Sequence, residues 1–426
     1  MRDTLRTRAP AGLTGWRTAE VKRLCRPHIV TPHRDPHIVT MHDITRLPGS
    51  EIVEIAKLAF TTPDIDFLCF GESDQPSPVV ARDAALAAID AGITKYVDVR
   101  GVPALREALA GSLSRLHAHP VAEGRIQITA SGMAALNVAL AATVRAGDRV
   151  LVHTPAWPNG ANAARLRGAD ISVLPLTPAA SGRFHLDLDR LAGLLPGCRA
   201  LLLNSPNNPT GWTATRDELA TILGLCRRHG TWLIADEVYS RLVYDGKPAA
   251  PSLLDVASAE DRLIVCNSFS KTWIMTGWRL GWMVLPAGTR ESVAELVEVT
   301  HSSVAPFIQH AGIAALADTA TPERFLRFCA EGRRLVGAAL AAENGIRYTA
   351  PDAAFYGFLG VEGLTDSLAL ARRLLLEYKV AVAPGVAFGE GGEGHLRICF
   401  AQSPERLQRA LGRLKAGLRN GLMQAA

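Results

Sequence analysis

The chain is predicted to be α/β: a large domain with a mostly parallel sheet sandwiched by helices, plus a smaller α/β domain. Three observations predict this. Short apolar runs recur from about residue 125, most ending at a polar, Gly or Pro break. Stretches with apolar residues at three- and four-residue spacing separate them, as in strands covered on both faces by crossover helices. After about residue 300 the texture changes to one long helical stretch and scattered short strands, which predicts the second domain.

Taken in order, Ala81–Ala91 and Val102–Leu116 carry helical spacing. Arg125–Thr129 reads as a strand and Gly132–Val144 as the helix after it. The runs Arg149–His153, Ile171–Leu174, Ala200–Asn204, Thr231–Ala235 and Leu263–Ser268 complete the expected sheet. Further on, Pro322–Ala342 reads as helix, and Ala354–Val361, Val380–Ala383 and Leu396–Phe400 as short strands. The expected division is a basic, flexible leader at 1–40 and a large domain at 76–310. A small domain with an N-terminal arm takes 41–75 and 311–426.

With 426 residues, 48% hydrophobic and 20% charged, the chain can bury a large core, which excludes intrinsic disorder. Its 37 Gly and 25 Pro follow no period, which excludes a collagen-like chain. The net charge of +5 is uneven. Residues 1–40 hold eight of the 46 Lys/Arg and three of the 41 Asp/Glu, so residues 41–426 carry 38 of each sign. The basic balance belongs to the leader and does not point to a nucleic-acid-binding body.

Seven scattered cysteines without a C-x-x-C argue against a disulfide framework or zinc site and for a cytoplasmic protein. No apolar run reaches the roughly 20 residues needed to span a bilayer. The start lacks a secretory apolar core, and Pro10, Gly12 and Gly15 break the amphipathic helix of a transit peptide. The leader repeats Pro-His-Ile-Val-Thr at 27–31 and 36–40, directly before Met41, so one reading places the translation start at Met41. His28, His33, His37 and His42 have no supporting carboxylate or Cys pattern, so no metal site is expected.

The chemistry-bearing residues sit just past strand ends, where open α/β sheets bind ligands. Ala130-Ser131-Gly132-Met133 opens a helix, a turn whose free amides and positive dipole end suit a phosphate. Then come Asn207-Asn208-Pro-Thr-Gly, Asp236-Glu-Val-Tyr239, Ser268-Phe-Ser-Lys271 and Thr276-Gly-Trp-Arg279. A Lys for an imine, an Asp for a ring nitrogen, and an Asn and a Tyr for a phenolic oxygen suit a phosphorylated aldehyde cofactor.

With these motifs in this order, residues 45–420 resemble the fold-type I pyridoxal-phosphate enzymes. The likeness is to class I/II aminotransferases, and within them to the gamma subgroup. The resemblance implies that Lys271 is the Schiff-base and proton-transfer lysine, with Asp236 on the pyridine nitrogen. Tyr239 and Asn208 would meet the ring oxygen. Ser131, Gly132, Met133, Ser268 and Arg279 match the phosphate site, and Trp157 the aromatic that stacks on the ring. Tyr96 matches a tyrosine that reaches the partner subunit's phosphate. Arg397 matches the arginine that grips a substrate α-carboxylate, with Gly71 facing that carboxylate and Asn208 beside it. The implied reaction moves an amino group from an α-amino acid to a 2-oxo acid by a ping-pong cycle, in a homodimer with shared active sites. Partners are these small molecules, with neither nucleic acid nor membrane. The alternative on the same scaffold is a carbon–sulfur lyase or other elimination or cyclisation enzyme. A ligand-sensing regulator would need a DNA-binding module that the Pro- and Gly-broken leader does not offer.

Three departures stand out. Ala156 and Gly160 replace residues often aromatic in relatives, and Ala353-Ala354 precede Phe-Tyr where Gly is common. These positions border the family's substrate pocket and leave the substrate open. Other signals carry less. Gly389–Gly394 matches G-x-G-x-x-G, but a strand follows it rather than a helix, so it reads as a surface turn. Ser268-x-x-Lys271 has no β-lactamase partner motifs in the chain. Trp232, Trp273, Trp278 and Trp282 read as core or interface packing.

Overall fold

Seven strands form the central sheet of the computed structural model, which describes residues 50–179 and 181–425. The leader, its repeat, its histidines and Met41 lie outside the described residues. In chain order the strands are β1 (Ile126–Thr129), β2 (Arg149–Thr154), β3 (Asp170–Pro175), β4 (Ala200–Asn204), β5 (Trp232–Asp236), β6 (Leu263–Ser268) and β7 (Gly281–Val284). They lie in the order β1-β7-β6-β5-β4-β2-β3. All neighbours run parallel except β7, which is antiparallel to both β1 and β6.

Six of these strands match the sequence expectation; β7 does not. Gly-Trp-Met-Val is only four residues long and follows the Arg279 turn directly, so it carries no periodic signal of its own. Alternation along the strands buries both faces. Val150, Val152, Leu202, Ile234 and Ile264 pack against the helices Gly132–Thr143 and Arg290–His301. Leu151, Leu201, Leu203, Leu233 and Val265 join the opposite cluster, with the helices Pro103–Leu116 and Arg216–His229. Each fully buried aliphatic side chain is worth about 1.5–3 kcal/mol, so this double burial fixes the register.

Local signals set the helix ends. Helix Arg216–His229 begins with a Thr215/Glu218 capping box, carries basic residues in its last turn, and stops at Gly230 with φ 65°. Ser131 caps Gly132–Thr143 by accepting from the Ala134 N–H at 3.0 Å.

A second sheet of four strands takes β8 (Ile346–Arg347), β9 (Tyr356–Val361), β10 (Ala383–Pro384) and β11 (His395–Cys399), in the order β8-β9-β11-β10. Its core draws on Ile55 and Leu68 near the chain start and on Phe325, Val336, Leu374 and Leu411. Two expectations need correction. The run Val380–Ala383 is not one strand. Val380–Ala381 pairs in parallel with Asp66–Phe67, and the chain then passes to β10 in the other sheet. The expected division at residue 311 falls inside the helix Pro306–Ala317, whose Ala311 and Ala315 pack in the first core. The change of core therefore comes after that helix.

Strand β9 starts at Tyr356 rather than Ala354, because Ala354 takes φ 61° and breaks the extended run. A left-handed conformation suits Gly better than Ala. That is the physical content of the Ala353-Ala354 departure.

Candidate active site

A cavity of ≈330 Å³ lies at the carboxyl ends of the central strands, against the four-stranded sheet. All of the predicted site residues line it except Ser131 and Tyr96.

Asp236 is the last residue of β5. Its carboxylate accepts from the Val238 N–H at 3.3 Å. Burial pushes its pKa up to about 6, and nearby Lys271 pulls it the other way. The turn after Asp236 sends Tyr239 back into the cavity, where its hydroxyl lies 2.7 Å from that of Tyr356. Burial, followed by the Tyr356 neighbour, holds the Tyr239 phenol well above the ordinary value.

β6 ends at Ser268, whose Oγ accepts from the Ser270 N–H at 3.0 Å and tightens the turn that delivers Lys271. Lys271 Nζ donates to the Gly71 carbonyl at 2.6 Å. Burial lowers its pKa from 10.5 to about 8, which leaves an appreciable fraction of free amine at neutral pH.

The opposite end is a cup of backbone amides. Helix Gly132–Thr143 opens there, and its first-turn N–H groups have no carbonyl four residues back. Ser131 serves this cup as the helix cap rather than by facing the cavity. Gly281 of β7 packs directly behind it. A Cβ at 281 would lie 2.6 Å from Ser131 C, 2.7 Å from Gly132 N and 2.9 Å from Asn267 O. Arg279, with φ 57°, stands at the rim, its Nη1 donating to Thr276 O at 2.5 Å.

Arg397, on β11, is only 3% exposed. Its Nη1 donates to Asn208 Oδ1 at 3.1 Å, and its Nη2 to the Cys69 carbonyl. Its Nε is buried without a partner, and no carboxylate pairs with it among the described residues. The guanidinium instead lies 4.6 Å from the Tyr356 ring centroid and 5.1 Å from that of Phe388. A buried cation without a counter-charge is costly, and an anionic ligand would offset that cost.

Tyr96 is 94% exposed and takes no part in the cavity of its own chain. Ala156 and Gly160 border a second cavity of ≈240 Å³, which shares Trp157, Asn204 and Asp236 with the first. Of the other tryptophans, Trp273 and Trp282 are buried, and Trp278 Nε1 donates to Ser77 Oγ at 2.9 Å. The run from Gly389 to Gly394 is a turn with Gly389, Gly391 and Gly394 at positive φ, and β11 follows it. Sequence reasoning missed Tyr356. Its signal lay in strand pairing, because Phe358 sits opposite Arg397 in β9–β11 and puts Tyr356 diagonally beside it.

The comparisons with known proteins agree with this geometry. The family described as aminotransferase class I and II matches residues 65–414. The chain belongs to this family. Its members use pyridoxal phosphate, and this chain is a pyridoxal-phosphate-dependent aminotransferase that moves an amino group from an amino acid to a 2-oxo acid. An aspartate aminotransferase of Thermotoga maritima is 32% identical over 87% of this chain and 97% of its own. The arginine–pyruvate transaminase of Pseudomonas aeruginosa is 33% identical over 82% of this chain and 89% of its own. Among solved structures, the Thermotoga maritima enzyme superposes with TM-score 0.81 at 32% identity, covering 87% of this chain and 98% of that one. An aromatic aminotransferase from Pyrococcus horikoshii gives 0.79 at 32% identity, covering 87% and 100%. The fold is that of the fold-type I pyridoxal-phosphate enzymes.

The residues present fit the cofactor. The amide cup with Arg279 at its rim suits a phosphate dianion, the buried Asp236 suits a pyridinium nitrogen, and the partly deprotonated Lys271 suits an aldehyde.

Proposed function

We propose that the aminotransferase acts on α-amino acids held by Arg397, with Lys271 as the residue that bonds the cofactor and carries the proton. One observation carries this reading: Arg397 is buried without an acidic partner and opens on the same cavity as Lys271.

Pyridoxal phosphate, when bound, supplies an aldehyde carbon for imine formation and a ring that delocalises the electron pair left when a Cα–H bond breaks. Gly132, Met133, Ser268 and Arg279 would hold its phosphate, with Trp157 against the ring and Tyr239 and Asn208 at the ring oxygen. Asp236 would keep the ring nitrogen protonated through charge, an effect strengthened by the low dielectric around it. Arg397 pairs with a carboxylate through two parallel hydrogen bonds and so fixes which Cα bond is aligned for cleavage. Lys271 Nζ, partly unprotonated near neutral pH, would take the Cα proton and deliver it to the former aldehyde carbon, across the nitrogen that the two carbons share. Repeating the sequence with a 2-oxo acid gives a ping-pong cycle.

The working unit on this reading is a homodimer with shared sites, in which Tyr96 serves the partner's phosphate. Its full exposure on its own chain supports this role. The cytoplasm suits the six cysteines among the described residues, all free and buried. No helix among the described residues is long and apolar enough to cross a membrane.

The test is a panel of amino acids added to the holoenzyme and followed by absorption, then by addition of a 2-oxo acid. The expected result is bleaching by the amino acid and recovery of the original band with the oxo acid. Release of pyruvate and ammonia without that recovery would identify a lyase instead.

A further inference from the structure

The cavity holds one fully buried aromatic side chain to which the reading above gives no task. Tyr356 is 1% exposed and stands between the two ends of the site. Its hydroxyl lies 2.7 Å from that of Tyr239, and its ring carries the Arg397 guanidinium at 4.6 Å. Gly71, whose carbonyl accepts from Lys271, packs so closely on the Tyr356 hydroxyl that a Cβ there would overlap it.

We propose that Tyr356 is a positioning residue that couples the two ends of the site. Its ring holds the Arg397 guanidinium in place for a carboxylate, and its hydroxyl donates to Tyr239, turning the Tyr239 O–H toward the cofactor's ring oxygen. The second part follows from counting protons. Each phenol has one O–H, and the pair spends one of the two on the bond between them. Both phenols are buried and held above their ordinary pKa, so both are protonated at neutral pH. Tyr239 can donate into the cavity only if Tyr356 is the donor within the pair. That donation polarises Tyr239 and strengthens its own outward hydrogen bond. A cation stacked on the Tyr356 ring links the carboxylate grip to the same side chain.

This proposal rests on the roles given above to Tyr239 and Arg397, and its test separates the two. In the holoenzyme without substrate, the visible band of the bound cofactor is titrated with pH for the parent, Tyr356→Phe and Tyr356→Leu. The parent's own band and turnover test the assigned roles. The differences between parent and variants test only this coupling. Tyr356→Phe keeps the ring and its volume, so it is expected to fold as the parent does, checked by circular dichroism. Its band midpoint moves to higher pH, because a less well hydrogen-bonded ring oxygen holds the shared proton more tightly. Its KM for the amino acid stays within twofold. Tyr356→Leu shows a similar midpoint and a KM raised about tenfold, as expected for losing a desolvated cation–π contact. A Tyr356→Phe titration that superimposes on the parent's, or a Tyr356→Leu KM within twofold of the parent's, overturns the proposal.

Discussion

One wall of the cavity takes Asp236, Tyr239, Ser268 and Lys271 from two successive strand-end loops of the central sheet, whereas the facing wall takes Gly71, Tyr356 and Arg397 from segments far apart in the chain. The first wall is positioned by backbone regularity. Parallel neighbours β5 and β6 end side by side, so whatever follows them is delivered to the same place. The second wall is positioned by side chains that lock one another: Arg397 on Asn208, on the Cys69 carbonyl and on the Tyr356 ring. A wall built on strand ends tolerates changes nearby, while a wall built on cross-locked side chains transmits them.

The largest expected effect tests the first wall. Lys271→Ala should lower turnover by about 10²–10⁴-fold, the range for losing a positioned proton-transfer group. Steady-state rates with the best donor measure this, and circular dichroism should show an unchanged fold. Turnover near that of the parent would mean that another residue moves the proton.

Next comes the second wall. Arg397→Gln removes charge-assisted hydrogen bonds worth about 1.5–3 kcal/mol each, so kcat/KM should fall by about 10²-fold, mainly through KM. Cofactor affinity, measured by titrating the apo-protein, should stay within a few-fold of the parent's. A parallel loss of cofactor affinity would show that the two walls are not separable in this way.

A smaller effect is expected at Gly281, where an added Cβ meets backbone atoms at 2.6–2.9 Å. Gly281→Ala should cost about 1–3 kcal/mol of stability through overpacking, read from thermal melts. It should also weaken cofactor binding more than substrate binding, because the amide cup is what it disturbs.

The smallest effect concerns a proton. In the apo-protein, amine-directed labelling of Lys271 should titrate near pH 8, against 10.5 for an ordinary lysine. Between those values the unfolded chain holds a proton that the folded chain has released. Lys271 therefore penalises the folded state fully below about pH 8, and the penalty fades as pH rises toward 10.5. Labelling near 10.5 would mean that Nζ is solvated in the apo-protein.

The same contrast decides what could be read in the sequence. The first wall was legible because its motifs are local. Asp236, Ser268 and Lys271 stand at the ends of apolar runs, and periodicity alone locates those ends. Arg397 and Gly71 were reached only through family resemblance, because nothing in their immediate surroundings marks them. Tyr356 was missed, since its role depends on pairing with β11 and on a hydroxyl contact to Tyr239 across the chain. Strand β7 was missed for a related reason. Four residues carry no period, and antiparallel insertion between β1 and β6 is a property of the assembled sheet.

That insertion also bears on how the chain is made. Strand β1, at the edge of the central sheet, pairs only with β7 within it, so apart from bonds such as Ile128 N–H to the Arg100 carbonyl, residues 126–129 have no strand partner until residues 281–284 exist. During synthesis from the N-terminus, the segment that opens the amide cup must wait for some 150 further residues before it can dock. Pairing across such a sequence distance is slow, and an unpaired edge is exposed to wrong partners in the interval. The four residues of β7 thus act as the clasp of the sheet, and the amide cup takes its final shape only when they close.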